Sequence, residues 1–256
     1  MCLILLTIRT HRDYKLIVAA NRDEYYERPS SPPRFWEDAP HLLAGRDLVA
    51  GGAWLGITRQ GRFAAVTNYR DPSRIKPDAP SRGKLVSRFL SCTMEPLAFL
   101  DLVRKEKDRY NGLNLILGTP ERLFWYSNRA DRAVPLLQGV YGLSNHLLDT
   151  PWPKVKKAKG LFEAVLGEGR RPLSEALFRL LHDQSRPPDS DLPHTGVPLE
   201  WERVLSPIFI TSPTYGTRSS TIILIDHDNH VTFLEKTFNS NPDPLSTTQF
   251  EFDLEN

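Results

Sequence analysis

The chain opens on two short apolar runs, Leu3 to Ile8 and Tyr14 to Ala20, separated by Arg9-Thr10-His11-Arg12-Asp13. Runs of this length about a short polar stretch predict two strands and a turn. Neither run alternates apolar with polar residues, so both strands should be covered on both faces. The second run empties into Asn21-Arg22-Asp23-Glu24, a dense polar cluster at the end of a buried strand. Residues 28–40 carry Pro29, Pro32, Pro33 and Pro40 and predict loop. A second hairpin follows, Trp54 to Thr58 and Phe63 to Tyr69, about the turn Arg59-Gln60-Gly61-Arg62. Ser81 to Cys92 and Glu95 to Tyr110 have helical spacing, the latter with Leu97, Leu100 and Val103 on one side.

Farther on, Leu113 to Leu117 pairs with Leu123 to Tyr126, and Gly139 to Ser144 predicts one more strand. A helix after Pro151 or Pro153 would align Val155, Ala158, Leu161, Phe162 and Val165, leaving the basic stretch Lys154 to Lys159 as its solvated side. Another helix covers Ser174 to Asp183, and the proline-rich residues 184–200 predict a long loop. Ser219 to Ile225 and Val231 to Phe238 form a final hairpin. Strands cluster apart from helices instead of alternating with them, which favours an α+β design of mostly antiparallel sheets with helices on the outside. No repeat or composition break divides the chain, so a single domain, 1–256, is expected.

Composition narrows the function classes. With 40% hydrophobic and 25% charged residues the chain reads as an ordinary globular protein. Its formal charge of +2 gives no electrostatic reason to expect nucleic acid or a membrane surface as partner. Two cysteines, Cys2 and Cys92, exclude a disulfide framework and a four-cysteine zinc site. The apolar start lacks a preceding basic segment and no run approaches a membrane span, so a cytoplasmic location is expected. His227-Asp228-Asn229-His230 falls in a turn without further ligands, and Gly51-Gly52 lacks the residues of a phosphate loop. No metal and no cofactor are expected.

Cys2 is the strongest candidate for chemistry. If Met1 is removed, the mature chain begins with a residue holding a thiol and a free α-amine. That amine has a pKa near 7.7–8.0, so it can act as base to its own nucleophile. A retained Met1 would block it. Cys2 also reads as a small apolar residue of a core strand, since free cysteine is often buried. Four polar spots lie at the edges of apolar strands: Asn21-Arg22-Asp23-Glu24, Thr67-Asn68-Tyr69-Arg70, Gly142-Leu143-Ser144-Asn145 and Tyr215-Gly216-Thr217-Arg218-Ser219-Ser220. An Arg-Asp pair beside a thiol would tune and orient it, and Asn side chains can line an oxyanion hole. Each spot also reads as a turn or strand cap.

These segments, together with Ala44-Gly45-Arg46-Asp47 and Gly51-Gly52-Ala53-Trp54-Leu55-Gly56, resemble in order the NRDE family, also called the transport and Golgi organisation protein 2 family. The resemblance implies a four-layer αββα sandwich of the N-terminal-nucleophile hydrolase type. Members have been linked to Golgi organisation, haem trafficking and acyl-lipid metabolism. A more distant resemblance to the penicillin V acylase and bile-salt hydrolase group implies Cys2 as nucleophile and Arg22 and Asp23 as its assistants. It implies Asn68 and Asn145 near the oxyanion and Arg218 as a late arginine. Asn21, Tyr69 and Trp54 are candidates for substrate contact. The expectation is a hydrolase acting on C–N bonds other than peptide bonds, in linear N-acyl amides of small molecules. The alternative is a non-catalytic carrier of haem or an acyl lipid using the same cleft.

Overall fold

The computed structural model describes residues 2–167 and 172–255. Its strands are β1 (Cys2–Ile8), β2 (Tyr14–Tyr25), β3 (Ser30–Trp36), β4 (Ala39–Asp47), β5 (Leu55–Thr58) and β6 (Phe63–Asn68). After helices α1 (Gly83–Leu90) and α2 (Pro96–Lys105) come β7 (Leu113–Thr119), β8 (Arg122–Ser127), β9 (Arg132–Leu136) and β10 (Gly139–Leu143). Helices α3 (Pro153–Gly167), α4 (Leu173–Leu181) and α5 (Leu199–Leu205) lead to β11 (Tyr215–Asp226), β12 (His230–Thr237) and β13 (Ser246–Asp253). The named strand pairs are antiparallel and build one sheet ordered β10-β1-β2-β11-β12-β13 and another ordered β3 through β9 in sequence.

The chain divides into two compact units. The first comprises Met1–Glu27, Gln138–Ser144 and Leu148–Glu251, and the second Arg28–Leu137, Asn145–Leu147 and Phe252–Asn256. In the first, Leu3 and Leu5 of β1 and Ile17 and Ala19 of β2 pack with Val155 and Phe162 of α3 and Leu177 of α4. Strand side chains alternate between faces. The odd-numbered residues of β1 therefore face the helices, and Cys2, Ile4 and Leu6 face away from them. Leu3 to Ile8 are buried throughout, as expected of a doubly covered strand. In the second unit the sheet buries Ala64, Val66, Leu115 and Leu117 against Phe89 of α1 and Phe99 of α2.

The structure corrects several element boundaries. Residues 28–40 are not loop: β3 and the start of β4 run through them. Pro32 and Pro33 are tolerated because β3 is a sheet edge and its register slips between Ser31 and Arg34, so no ladder bond needs a proline N–H. The NRDE segment is not past the end of its strand but within β2. Strand β9, helix α5 and strand β13 stand where none was expected, so the chain does not finish on the β11–β12 hairpin. The side of α3 expected to be solvated includes a buried residue, Lys154.

Candidate active site around Cys2

Register assembles the site on the first unit. Cys2 lies opposite Arg22 on β2, and Arg22 lies opposite Ser219 on β11. Cross-strand partners share a face, so Cys2, Arg22 and Ser219 form one row on the side away from the helices. Asp23 and Thr217 pair on the opposite face. The register shift between Thr217 and Ser219 leaves Arg218 as the extra residue of a bulge. Its guanidinium donates to the carbonyls of Tyr25 and Tyr26 at 2.8 and 3.0 Å. Ser144, at the end of β10, donates to the Cys2 carbonyl at 3.1 Å.

Electrostatics oppose one another at the thiol. Burial pushes the Cys2 thiol up, and the Asp23 carboxylate adds to that, while the Arg22 guanidinium and the Asp23 backbone N–H favour the thiolate. Cys2 still keeps part of its surface accessible. Asp23 is itself raised by burial, against the Lys154 ammonium, a 2.7 Å bond from Thr217 Oγ1, and Arg22. The Tyr215 hydroxyl donates to the Asp23 carbonyl at 3.0 Å. The Arg218 guanidinium is lowered by burial and by the nearby Arg22 charge. Met1, whose removal would free the Cys2 amine, lies outside the described residues.

Lys154 was missed in the sequence because its neighbours Lys156 and Lys157 are exposed. Yet Lys154, Ala158, Leu161 and Phe162 follow the i, i+4, i+7, i+8 spacing of one helix face. That signal placed the lysine with the apolar residues, where only 4% of it is exposed. A cation in the first turn of a helix opposes the helix dipole and needs a buried anion nearby. Asp23 supplies it. Asn21 is buried, and its amide is fully engaged by the Leu181 and Ile208 carbonyls and the Ser220 hydroxyl at 2.8, 2.9 and 2.6 Å.

The remaining candidates lie in the second unit. Asn145 donates from Nδ2 to the Asn68 carbonyl at 3.0 Å, and its own carbonyl accepts from Arg70 N–H at 2.7 Å. The Tyr69 hydroxyl meets His146 Nε2 at 2.7 Å with the rings 4.8 Å apart. Burial lowers the pKa of His146 and raises that of Tyr69. Asn114 reaches Thr67 Oγ1 and the His146 carbonyl. Trp54 lies so close over Gly45 that a Cβ there would meet its ring at 2.3 Å, which explains the glycine in Ala44-Gly45-Arg46-Asp47. Asp47 in turn accepts from Val49 and Ala50 N–H and from Arg28, so this segment shapes a turn.

The model of the family Transport and Golgi organisation 2 matches residues 1–240. The chain belongs to that family. The Transport and Golgi organization protein 2 homolog of Bos taurus is 40% identical over 259 residues, covering 94% of each chain. Among solved structures, a mutant of the conjugated bile acid hydrolase of Clostridium perfringens superposes with a TM-score of 0.56 at 11% identity, over 100% of this chain and 94% of that one. Penicillin V acylase from Agrobacterium tumefaciens gives 0.51 at 13% identity, over 99% and 86%. These likenesses show the fold: this member of the Transport and Golgi organisation 2 family has the N-terminal-nucleophile hydrolase architecture expected from its sequence. No helix among the described residues is long and apolar enough to cross a membrane.

Proposed function

We propose that the chain is a cysteine N-terminal-nucleophile amidohydrolase acting on the linear N-acyl bond of a small molecule. One observation carries this reading: Cys2 is in register with Arg22, in a buried setting of charged groups where Arg22 and the Asp23 backbone favour the thiolate. The Cys2 sulfur attacks the amide carbonyl, its proton passing by way of the α-amine to the leaving nitrogen. The C–N bond breaks, leaving a thioester that water hydrolyses to regenerate the thiol. Arg22 favours the thiolate from the same face, and Asp23 assists through its backbone N–H while its carboxylate is held on the other face by Thr217 and Lys154. Arg218 holds the end of β2 in place through the Tyr25 and Tyr26 carbonyls. Asn68 and Asn145 take the oxyanion role that the resemblance implies. The proposed location is the cytoplasm, and the chain is read as a single domain, 1–256.

A separate observation favours the carrier reading. A cavity of about 680 Å³ in the first unit places His11 and Arg12 beside Tyr14 and Phe178, with Leu224 and Leu234. Such a lining would take the apolar part of an acyl lipid or haem against Tyr14, Phe178, Leu224 and Leu234, with the polar end among His11, Arg12, Asp13, Glu175 and Glu251. It lies at the β1–β2 turn, and seven residues of strand at about 3.3 Å each put that turn roughly 20 Å from Cys2. The carrier reading thus moves from the cleft expected at Cys2 to a separate cavity, and the two readings are separable. Intact mass reports whether Met1 is lost, and iodoacetamide labelling followed by assay of N-acyl substrates reports whether Cys2 reacts. A labelled Cys2 with matching loss of hydrolysis supports the enzyme. An unreactive Cys2 in a protein that binds haem or acyl chains, and loses them on Leu234→Asp, supports the carrier.

A further inference from the structure

The face of the first sheet that carries Cys2 holds, besides the half-buried Glu24 near Arg218, a fully buried acid that the proposed mechanism does not use. Glu235 on β12 is opposite Thr221 on β11, which is opposite Ala20 on β2 and, through it, Ile4 on β1. That row lies next to the Cys2–Arg22–Ser219 row and on the same face, because Cys2 and Ile4, like Ser219 and Thr221, are two positions apart. Only 2% of Glu235 is exposed. Its carboxyl accepts from Thr221 Oγ1 at 2.6 Å. Ser219 and the Arg22 guanidinium act on the same carboxyl. The adjacent Lys236 points the other way, to Phe178 at 4.2 Å and Glu175 at 3.5 Å.

We propose that Glu235 is a positioning residue for the nucleophile, its carboxylate and the Cys2 thiolate competing for the single guanidinium of Arg22. The groups that face it are Arg22 from β2 and the hydroxyls of Ser219 and Thr221 from β11, with Cys2 beyond Arg22 on β1. A buried carboxylate needs a cation, and so does a buried thiolate. When Glu235 is ionised, its charge offsets Arg22 and the thiol holds its proton more tightly. When it takes up a proton from solvent, Arg22 acts on the sulfur undiluted. Burial pushes Glu235 up to about 7 against the Thr221 bond and Arg22, so this exchange falls near neutral pH. The two groups titrate as a coupled pair.

This inference rests on Cys2 being the nucleophile, and its test separates the two. Alkylation of Cys2 by iodoacetamide is followed against pH by peptide mass, with Cys92 as internal reference, in the full-length wild type, Glu235→Gln, Arg22→Met and the double variant. The expected wild-type profile has two ionisations. Glu235→Gln should show one, and at pH 8 should react about 3–10-fold faster, the change that up to one pKa unit gives. In the Arg22→Met background, Glu235→Gln should change nothing. Superimposable wild-type and Glu235→Gln profiles, or an equal effect of Glu235→Gln with and without Arg22, would overturn the proposal. The Glu235 carboxyl is also titrated by carbon-13 NMR, where Arg22→Met should raise its midpoint by about one pH unit. An unmoved midpoint overturns the coupling even if Cys2 takes no label, whereas an unlabelled Cys2 defeats the nucleophile reading alone.

Discussion

At the Cys2 end of β1 the buried polar side chains include four charged ones, whereas at the Asn68 end of β6 they are amides, a phenol and an imidazole that burial keeps neutral, with charge carried by the less buried Arg70 and the Arg129–Asp71 pair. Arg22, Asp23, Lys154 and Glu235 are each at most 6% exposed, on strands or a helix of the first unit. Asn68, Tyr69, Asn145 and His146 of the second unit bond one another or the nearby backbone. Burying charge is costly unless it is paired, and a fold that maintains such a group gains a site whose electrostatics respond to one proton. Neutral hydrogen-bonded groups gain shape but little pH sensitivity. Proton chemistry thus belongs to the first region, and a neutral hydrogen-bonded framework, which includes the donors proposed for the oxyanion, to the second.

The largest test of that division is Cys2→Ala. It should reduce hydrolysis of N-acyl substrates by about 10⁴-fold or more, because no other group supplies the attacking atom. Stability in urea should change by no more than about 1–2 kcal/mol, since little volume is lost. Cys2→Ser should retain a trace of activity through the same α-amine. Full activity in folded Cys2→Ala protein would remove the catalytic proposal and collapse the contrast between the regions.

Next in size is Lys154→Met, which leaves Asp23 buried without its main counter-charge. Loss of one partner of a buried pair should cost about 3–5 kcal/mol in urea unfolding. Adding Asp23→Asn should recover part of that, so the double variant should lie well short of the sum of the singles. Strict additivity would mean that the two groups do not interact.

Glu235 gives a pH signature. Its native pKa is raised to about 7 from 4.5, so the native state holds a proton that the unfolded chain has released. The protonated form stabilises fully below about pH 4.5, and that stability is lost as pH rises toward 7. Relative to Glu235→Gln, the wild type should therefore lose roughly 3 kcal/mol across this window and run parallel to it above. A constant difference between the two would show an acid with an ordinary pKa.

The two regions were also unequally legible in the sequence. Uninterrupted apolar runs at Leu3 to Ile8 and Tyr14 to Ala20 announce the strands that carry Cys2 and Arg22, and the α+β class follows from how strands group. Charge hid the rest. Lys154 reads as solvated beside Lys156 and Lys157, although its spacing to Ala158 and Phe162 puts it on the buried face. Glu235 continues the period-two series Val231 and Phe233, both fully buried, within the strand expected from Val231 to Phe238, but its charge carries no sign of burial. In β3 the prolines conceal an edge strand, and β13 alternates exposed polar residues with few apolar ones. Cross-strand register, which brings Ser219 and Arg22 together across nearly 200 residues of sequence, has no local signature.

Tyr69→Phe should have the smallest effect and makes the sharpest control. It removes the hydroxyl that meets His146 Nε2 while retaining the ring that lies against the imidazole. Loss of one part-buried hydrogen bond predicts about 1 kcal/mol of destabilisation. His146, lowered by burial, should remain neutral at pH 7 in both proteins, so the variant adds no charge to the second unit. If that region is framework, the pH profile of Cys2 alkylation should be unchanged in Tyr69→Phe even where turnover falls modestly through a loosened Asn68–Asn145 segment. A displaced Cys2 profile would show that the tyrosine–histidine pair belongs to the proton chemistry of the thiol, and the division between a reactive and a framework region would no longer stand.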